Sequence, residues 1–425
     1  MMKGIKSTRL VTPQGIRPGC VYWEDGKITE VTEVPLAGVE LLDVGDAWVT
    51  PGFIDLHTHG GGGGHEFRGS EEDIRIALDF HLSHGTTCIY PTLSSAPLAE
   101  LEACVERISR LVEQEKPAIT VPGIHLEGPY FSLAQMGAQK PKFITPPIRE
   151  DYGPMLERCA DKIARWDYAP ENDTDRAFAK ALKAHGVMAG AAHTDALYSD
   201  MKAAMEQGLK IVTHLYSCTS TVTRDHGFRR LGVIETAWLE DDLYVEAIAD
   251  GKHLPPELLK MIWKLKGSHR VALVTDSILW AGLDTGGKES VQFGEYLIED
   301  GVCKMADRSA FHGSIATTDR LLRTAVLEAG IPMEEAMRMM TETPAAIMGL
   351  KNKGFLAPGF DCDLVVLDED LQVRKVICGG RNYELGRACC KIRIIDGNHV
   401  GAAIRPYGGI VRQHGFRTTA GPVPR

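Results

Sequence analysis

Two histidines stand one residue apart in the segment PGFIDLHTHGGGGGHE, which spans residues 51–66. On a β-strand, His57 and His59 point to the same face, because successive side chains alternate with a period of two. Two imidazoles that converge at a strand end can bind one metal ion. A His-x-His pair taken alone is better explained by one histidine in a core hydrogen bond and the other in a loop. A metal site is therefore favoured only if other strand ends supply more ligands.

Residues of metal-ligand type do recur after other short apolar runs. The segment HLEGP contains His125 and Glu127, and three further runs end at His193, His214 and Asp276. Burying an unpaired carboxylate is costly, so Glu127 is hard to explain as an ordinary core residue. Taken together, these imidazoles and carboxylates predict a metal centre.

The elements that position these residues alternate along the chain from Trp48 onward. Short apolar runs alternate with amphipathic segments, which is typical of βα units and a parallel sheet. Eight such strands predict a (β/α)8 barrel, whose active site lies at the carboxyl ends of the strands. The predicted strands are residues 50–55, 86–90, 119–125, 163–168, 187–192, 210–213, 244–248 and 271–275.

Both ends of the chain have β character, as at the predicted hairpin turn Asp25-Gly26. We expect an α/β protein in which the TIM-like barrel carries a small β-sandwich domain formed by N- and C-terminal segments. The expected boundaries are 1–49 and 354–382 for the two parts of the small domain, 50–353 for the barrel, and 383–425 for a C-terminal extension of unknown role.

Composition argues against some classes of partner. The net charge of -10 and a pI near 5.9 argue against nucleic acid or an anionic membrane as the main partner. Apolar stretches are too short to span a bilayer, so we expect a cytoplasmic protein. The ten cysteines are scattered, which favours reduced core residues over a disulfide framework.

Several segments resemble the amidohydrolase superfamily and, within it, the N-acetylglucosamine-6-phosphate deacetylases. The matching stretches are PGFIDLHTHG, GTTCIYPT, HLEGPY, AAHTDA, VTHLYS, IADGKH, VTDS, TPAAIMGL and KGFLAPGFDCDLVVLD. The resemblance covers about residues 49–380, and the combination of HLEGP with THLY is specific to this group.

The resemblance implies a ligand set and a reaction. Glu127, His193 and His214 would bind the principal divalent metal, which could be zinc, iron or manganese. His57 and His59, with Asp276 as a shared ligand, could hold a second ion. The reaction would be hydrolysis of the acetamide of N-acetylglucosamine 6-phosphate by a metal-bound hydroxide, with Asp276 as general base and acid. The segment Ala169-Pro170-Glu171 lacks the metal-bridging lysine of many other superfamily members.

The resemblance also implies substrate contacts. An arginine and a histidine of the family hold the sugar phosphate, partly across a homodimer interface, and here they correspond to Arg229 and His253. The chain departs from the family where it has Ser217-Cys218 in place of Asn-Ala and Phe311-His312 in place of Leu-Ala. Gln139 matches those members that have glutamine at this position.

Two other functions remain open at this stage. The same chemistry could act on N-acetylgalactosamine 6-phosphate, another N-acyl amino sugar or an N-acyl amino acid. The barrel could also be a catalytically silent scaffold, although the complete set of ligand-type residues counts against that.

Overall fold

The computed structural model describes residues 1–285, 288–383, 393–396 and 399–401 of the chain. The first five strands belong to a sheet outside the barrel. The predicted turn at Asp25-Gly26 is confirmed, with φ of 50° and 79° at the two residues. These strands are β1 (Lys3–Thr12), β2 (Gly15–Glu24), β3 (Lys27–Thr32), β4 (Glu40–Asp43) and β5 (Trp48–Pro51).

A barrel of eight parallel strands follows, as predicted. The sheet closes where the Asp276 amide donates to the His57 carbonyl over 2.9 Å. The barrel strands are β6 (Phe53–Thr58), β9 (Thr86–Ser94), β10 (Ile124–Glu127), β11 (Ile163–Tyr168), β12 (Met188–Ala191), β13 (Leu209–Val212), β16 (Tyr244–Ile248) and β17 (Val271–Val274). Two small hairpins interrupt the series: β7 (Gly60–Gly61) with β8 (His65–Glu66), and β14 (Thr223–Asp225) with β15 (Phe228–Arg230).

The predicted strand bounds need two corrections. The run at 50–55 is divided, because its first residues belong to β5 of the terminal sheet and the barrel strand begins only at Phe53. Residues 119–123 precede β10 and contribute only an isolated bridge between Thr120 and Cys88. Apolar character marks burial on either side of such a boundary, so it does not show where the chain passes from one sheet to the next.

Helices cover the outside of the barrel. Ser70 caps α1 through a reciprocal capping box with Asp73, and the apolar stripe of α2 is buried at Leu101, Val105 and Ile108. The helices are α1 (Glu71–Ser83), α2 (Leu98–Glu115), α3 (Arg149–Cys159), α4 (Ala177–Ala184), α5 (Tyr198–Glu206), α6 (Val233–Leu239), α7 (Pro256–Lys266), α8 (Thr318–Arg323), α9 (Met333–Met340) and α10 (Glu342–Met348). A π-helical turn (Thr324–Glu328) follows α8, and short 3₁₀ turns occur at Leu133–Gln135, Pro141–Phe143, Pro170–Asn172 and Ser268–Arg270.

A four-stranded antiparallel sheet is inserted after the last barrel strand. It packs on a small core that contains Ile278, Trp280, Ile298 and Cys303. Its last strand returns towards the barrel, since the Ser314 amide donates to the Asp276 carbonyl over 3.0 Å. The strands are β18 (Ser290–Phe293), β19 (Tyr296–Glu299), β20 (Val302–Met305) and β21 (Phe311–Gly313).

The C-terminal strands complete the first sheet. β1 pairs with β4 along its first half and with β5 along its second half, so the sheet folds around a core that includes Ile5, Val21 and Leu364. The added strands are β22 (Leu364–Leu367), β23 (Val373–Cys378) and β24 (Arg381–Tyr383), and β22 pairs with β5. Beyond Tyr383, the predicted extension is described only at β25 (Arg393–Asp396) and β26 (His399–Gly401).

Two further expectations concern the described part of the chain. None of its helices is both long enough and apolar enough to cross a membrane. Its eight cysteines are all free thiols, and every one except Cys218 is buried. Cys389 and Cys390 lie outside the described residues.

Candidate metal centre

Six ligand-type side chains converge at the carboxyl ends of the barrel strands. His57 lies in β6 and Glu127 ends β10, whereas the other residues lie just beyond a strand. His193, His214 and Asp276 adopt left-handed backbone conformations, with φ of 45°, 31° and 45°. Such a conformation costs a non-glycine residue about 1–3 kcal/mol and persists only where surrounding contacts enforce it.

One group consists of Glu127, His193 and His214, all buried. The Nε2 atoms of both histidines lie 3.1 Å from Glu127 Oε1. His193 comes from the loop after β12 and His214 from the loop after β13, so three different strand ends contribute. This is the ligand set that the resemblance implied for the principal metal.

The second group consists of His57, His59 and Asp276. The two histidine Nε2 atoms are 3.3 Å apart. They lie 3.4 Å and 3.2 Å from Asp276 Oδ1, respectively. The side-chain direction predicted from strand periodicity is therefore confirmed.

Glu127 joins the two groups. Its Oε1 is 3.7 Å from His57 Nε2, and its Oε2 is 3.5 Å from His59 Nε2. The Gln139 amide donates to Oε2 over 2.9 Å. One carboxylate thus faces both groups and would contribute negative charge to a cation held by either of them.

The Nδ1 atoms of His193 and His214, which face away from Glu127, already form hydrogen bonds. The Nδ1 atom of His193 donates to the Gln135 carbonyl over 2.9 Å, and that of His214 donates to the Ser217 carbonyl over 3.1 Å. A carbonyl oxygen only accepts, so each Nδ1 carries a proton, and Nε2, which holds the lone pair of the neutral ring, is the nitrogen that faces the carboxylate oxygens of the centre. Lone pairs that face carboxylate oxygens repel unless a cation lies between them. The donor set therefore fits a divalent metal.

The titration behaviour of the groups agrees with this arrangement. Burial by itself raises the pKa of Glu127, but the neighbouring histidines hold it well below its usual range. Burial lowers the pKa of His57, whereas Asp276 and the other surrounding carboxylates raise it to about 9. The centre thus favours positive charge, whether it is supplied by protons or by a metal.

Glu171 lies in the short 3₁₀ turn after the fourth barrel strand, β11, in the segment that lacks a bridging lysine. Its carboxylate accepts from the Thr194 hydroxyl over 2.5 Å and from the Asp195 amide over 2.6 Å. Both partners directly follow His193. Glu171 therefore holds the turn that aims this histidine and is not itself in the ligand cluster.

A buried polar network beneath the centre was not predicted from the sequence. His57 Nδ1 donates to Glu246 Oε2 over 3.2 Å, and Arg165 donates to both Glu246 and Asp167. His125 pairs with Asp167 over 2.8 Å and is not a ligand of either group. The available signal was the presence of charged residues within the apolar strands YVEAI and IARWDY.

The cluster forms the floor of a cavity of about 520 Å³. The walls also contain Glu66, Arg68 and Tyr296, which sequence reasoning missed. His253 is fixed by Asp250, whose carboxylate accepts from its Nδ1 over 2.7 Å. Six of the seven residues predicted to contact substrate line this cavity, namely Gln139, Ser217, Cys218, His253, Phe311 and His312.

Arg229 does not line the cavity of its own chain. It lies on the exposed hairpin formed by β14 and β15, and within the described residues its guanidinium donates only to the Gly227 carbonyl. Its neighbour Arg230 pairs with Asp225 over 3.0 Å. The predicted arginine contact is therefore not formed within one subunit.

The glycine run beside His59 forms part of a short hairpin. Gly60 and Gly61 pair with Glu66 and His65. A β-carbon at Gly60, where φ is 158°, would lie 2.3 Å from the His65 carbonyl oxygen, so the hairpin requires glycine there.

Comparison with known proteins agrees with this geometry. Residues 48–383 match the amidohydrolase family. The chain is 28% identical over 362 residues to an N-acetylglucosamine-6-phosphate deacetylase of Lysinibacillus sphaericus, which covers 85% of this chain and 92% of the relative. It is 28% identical over 340 residues to an N-acetylgalactosamine-6-phosphate deacetylase of Shewanella sp. strain ANA-3, which covers 79% of this chain and 84% of the relative.

A solved structure is similar over most of the chain. It is a variant of N-acetyl-D-glucosamine-6-phosphate deacetylase from Mycobacterium smegmatis in complex with N-acetyl-D-glucosamine-6-phosphate. The two chains are 29% identical with a TM-score of 0.81, and the match covers 90% of this chain and 99% of the other.

Proposed function

Because the chain belongs to the amidohydrolase family, we propose that it is a metal-dependent N-acetylglucosamine-6-phosphate deacetylase. It hydrolyses the acetamide of N-acetylglucosamine 6-phosphate to glucosamine 6-phosphate and acetate. The observation that carries this proposal is the buried group of Glu127, His193 and His214 beside Asp276, at the floor of the cavity. The deacetylases among its relatives support the substrate.

The residues for metal binding follow from the two groups. Glu127, His193 and His214 would hold the principal ion, and His57 with His59 and Asp276 would hold a second. When bound, a divalent metal activates water as a nucleophile and stabilises charge on the amide oxygen. Zinc, iron and manganese all suit imidazole and carboxylate ligands.

Asp276 would move the proton. Burial raises its pKa, but the charges and hydrogen bonds of His57 and His59 lower it below its usual range. It is therefore ionised at neutral pH and can accept a proton from the attacking water. The same carboxyl group can then deliver that proton to the departing amine. No serine or cysteine nucleophile is required.

The cavity walls would bind the sugar. We assign the phosphate to His253 together with Arg229 of a second subunit in a homodimer, because Arg229 is exposed on a projecting hairpin. The planar guanidinium suits a phosphate. Gln139, Ser217, Cys218, Phe311 and His312 would shape the space around the sugar and the acyl group. We place this small-molecule metabolism in the cytoplasm.

Acetate release tests the proposed function. The purified full chain is incubated with N-acetylglucosamine 6-phosphate before chelation, after chelation, and after readdition of zinc, iron(II) or manganese. We expect release that chelation abolishes and at least one metal restores. Absence of release with all three metals would disprove the substrate assignment, and a metal-free purified protein would favour the silent scaffold.

Changing Arg229 to alanine should affect only phosphorylated substrate. A hydrogen bond to a charged group contributes about 1.5–3 kcal/mol, so kcat/KM for N-acetylglucosamine 6-phosphate should fall roughly 10- to 100-fold. The rate on unphosphorylated N-acetylglucosamine should stay the same. Steady-state kinetics on the two sugars measures both values.

Arg230→Ala is the matched control for this variant. It removes the same charge from the same strand, but Arg230 is occupied by Asp225, and neighbouring residues of a strand point to opposite faces. We expect kcat/KM within threefold of the wild type. Equal losses in the two variants would contradict a specific phosphate contact at Arg229.

A second candidate substrate is N-acetylgalactosamine 6-phosphate. The observation that favours it is the similarity to a deacetylase of that sugar, together with the departures Ser217-Cys218 and Phe311-His312 in the cavity wall. The two sugars differ only in the configuration of one hydroxyl group. The ratio of their kcat/KM values therefore shows which of them is the preferred substrate. A higher value for an N-acyl amino acid than for either sugar would reject both.

A further inference from the structure

The polar network beneath the metal centre is buried to an unusual degree. Arg165 is 1% exposed, and Asp167, Glu246, His125 and His57 are all 0% exposed. These residues come from four barrel strands, β6, β10, β11 and β16. Burying charges of this kind is costly unless each of them is paired and hydrogen-bonded.

Arg165 organises this network. Its Nε donates to Asp167 Oδ1 over 2.7 Å and one Nη donates to Asp167 Oδ2 over 2.8 Å, while the other Nη donates to Glu246 Oε1. A β-carbon at Gly190 would lie 2.2 Å from Asp167 Oδ1, so this position must be glycine for the ion pair to fit. The absence of a side chain at position 190 therefore leaves room inside the barrel for the ion pair of Arg165 and Asp167.

The network has an excess of one negative charge. Asp167 and Glu246 are two carboxylates, and Arg165 supplies a single cation. With neutral histidines, one unit of negative charge remains directly below His57. That charge favours a cation among the residues above it.

Glu246 also sets the proton position of His57. Glu246 Oε1 faces Arg165 and Glu246 Oε2 faces His57 Nδ1. A carboxylate only accepts, so Nδ1 carries a proton, and Nε2 is the nitrogen that faces His59 and Asp276 and would bind a metal. A carboxylate behind a ligating histidine fixes the ring orientation and raises its basicity.

We propose that Glu246, anchored by Arg165, is a positioning residue that holds His57 in the tautomer needed to bind the second metal ion. The inference rests on the proposed metal-dependent function. The two groups of the centre differ in this respect. His193 and His214 are held by neutral backbone carbonyls, whereas His57 alone of these three donates to an anionic carboxylate.

Glu246→Gln isolates this role. Arg165 only donates, so the amide oxygen of glutamine must face it, and the amide nitrogen then faces His57. That nitrogen donates, which forces Nδ1 to accept and moves the proton to Nε2. A histidine protonated at Nε2 cannot bind a metal through that atom.

In the test, the chelator-treated full chain is titrated with zinc, and calorimetry measures the number of zinc ions bound and the affinity for each. The wild type should bind two equivalents. In Glu246→Gln the affinity for one zinc ion, assigned to the group of His57, His59 and Asp276, should fall roughly 10- to 100-fold. The affinity for the other zinc ion should be unchanged. In a His59→Asn background, which removes a ligand of the second ion, Glu246→Gln should cause no further loss.

Asp167→Asn is the matched control. It removes one carboxylate charge from the same arginine, but Asp167 faces His125, which belongs to neither ligand group. Both variants should lower the thermal midpoint to a similar extent, whereas only Glu246→Gln should weaken zinc binding. Equal effects of the two variants on zinc would overturn the positioning role.

Other outcomes are equally decisive. A wild type that binds one equivalent and still releases acetate would overturn the inference and leave the proposed function standing. Selective loss of one equivalent without any deacetylase activity would support the inference and reject the substrate. If Glu246→Gln does not fold, ¹⁵N-histidine spectra of the zinc-loaded wild type decide, because a proton on His57 Nδ1 supports the role and a proton on Nε2 overturns it.

Discussion

Replacing Asp276 with asparagine is expected to lower kcat by roughly 100- to 10,000-fold, the usual contribution of a general acid or base. Asparagine has nearly the same shape but cannot accept the proton of the attacking water. The principal metal should remain bound, because Asp276 does not belong to the group of Glu127, His193 and His214. Single-turnover kinetics and metal analysis of the same preparation measure both effects.

The result separates two roles of Asp276. Loss of turnover with the principal metal retained supports the role in proton transfer. If the preparation lost all metal, Asp276 would have to be regarded mainly as a ligand. Turnover within tenfold of the wild type would show that another cavity residue takes the proton.

Replacing Glu127 with glutamine is expected to remove the principal metal and nearly all activity. Glu127 Oε1 is 3.1 Å from the Nε2 atoms of both His193 and His214, and the other oxygen faces His59. A neutral amide keeps the shape but loses the charge that attracts a divalent cation. Metal assistance contributes several kcal/mol to such reactions, which corresponds to a loss of roughly 1,000-fold or more in kcat.

Asp173→Asn is a suitable control for the Glu127 variant. Asp173 is also a buried carboxylate, but it accepts from the Phe178 and Ala179 amides at the start of α4, away from the cavity. Its loss should lower the thermal midpoint and leave metal content unchanged. Full metal content and activity in Glu127→Gln would contradict the assignment of Glu127 as a ligand.

Local patterns were sufficient for much of the fold. All eight barrel strands lie at or beside the predicted apolar runs, and two of them, Ile163–Tyr168 and Tyr244–Ile248, have the predicted bounds. Helix α1 begins after Ser70, and serine is one of the residue types that favour a helix N-cap. These signals depend on neighbouring residues, which is why they could be recognised without tertiary information.

Contacts between distant residues escaped sequence reasoning for a physical reason. Strand periodicity shows that Glu246 alternates with its neighbours, but it does not show which residue meets it across the barrel. His57 and Glu246 are 189 residues apart along the chain. The ends of apolar runs were similarly ambiguous, as at 50–55, where β5 and β6 belong to different sheets.

The sequence by itself determined that a ligand set exists. In a barrel of parallel strands all carboxyl ends lie at one mouth, so histidines and carboxylates that follow different strands must meet there. The family resemblance implied how they divide into two groups. Only the tertiary structure decided that Glu127 lies between those groups and that a buried ion network underlies His57. It also decided that Arg229 lies outside the cavity of its own subunit. These features depend on the packing of side chains across the barrel, which no local pattern specifies.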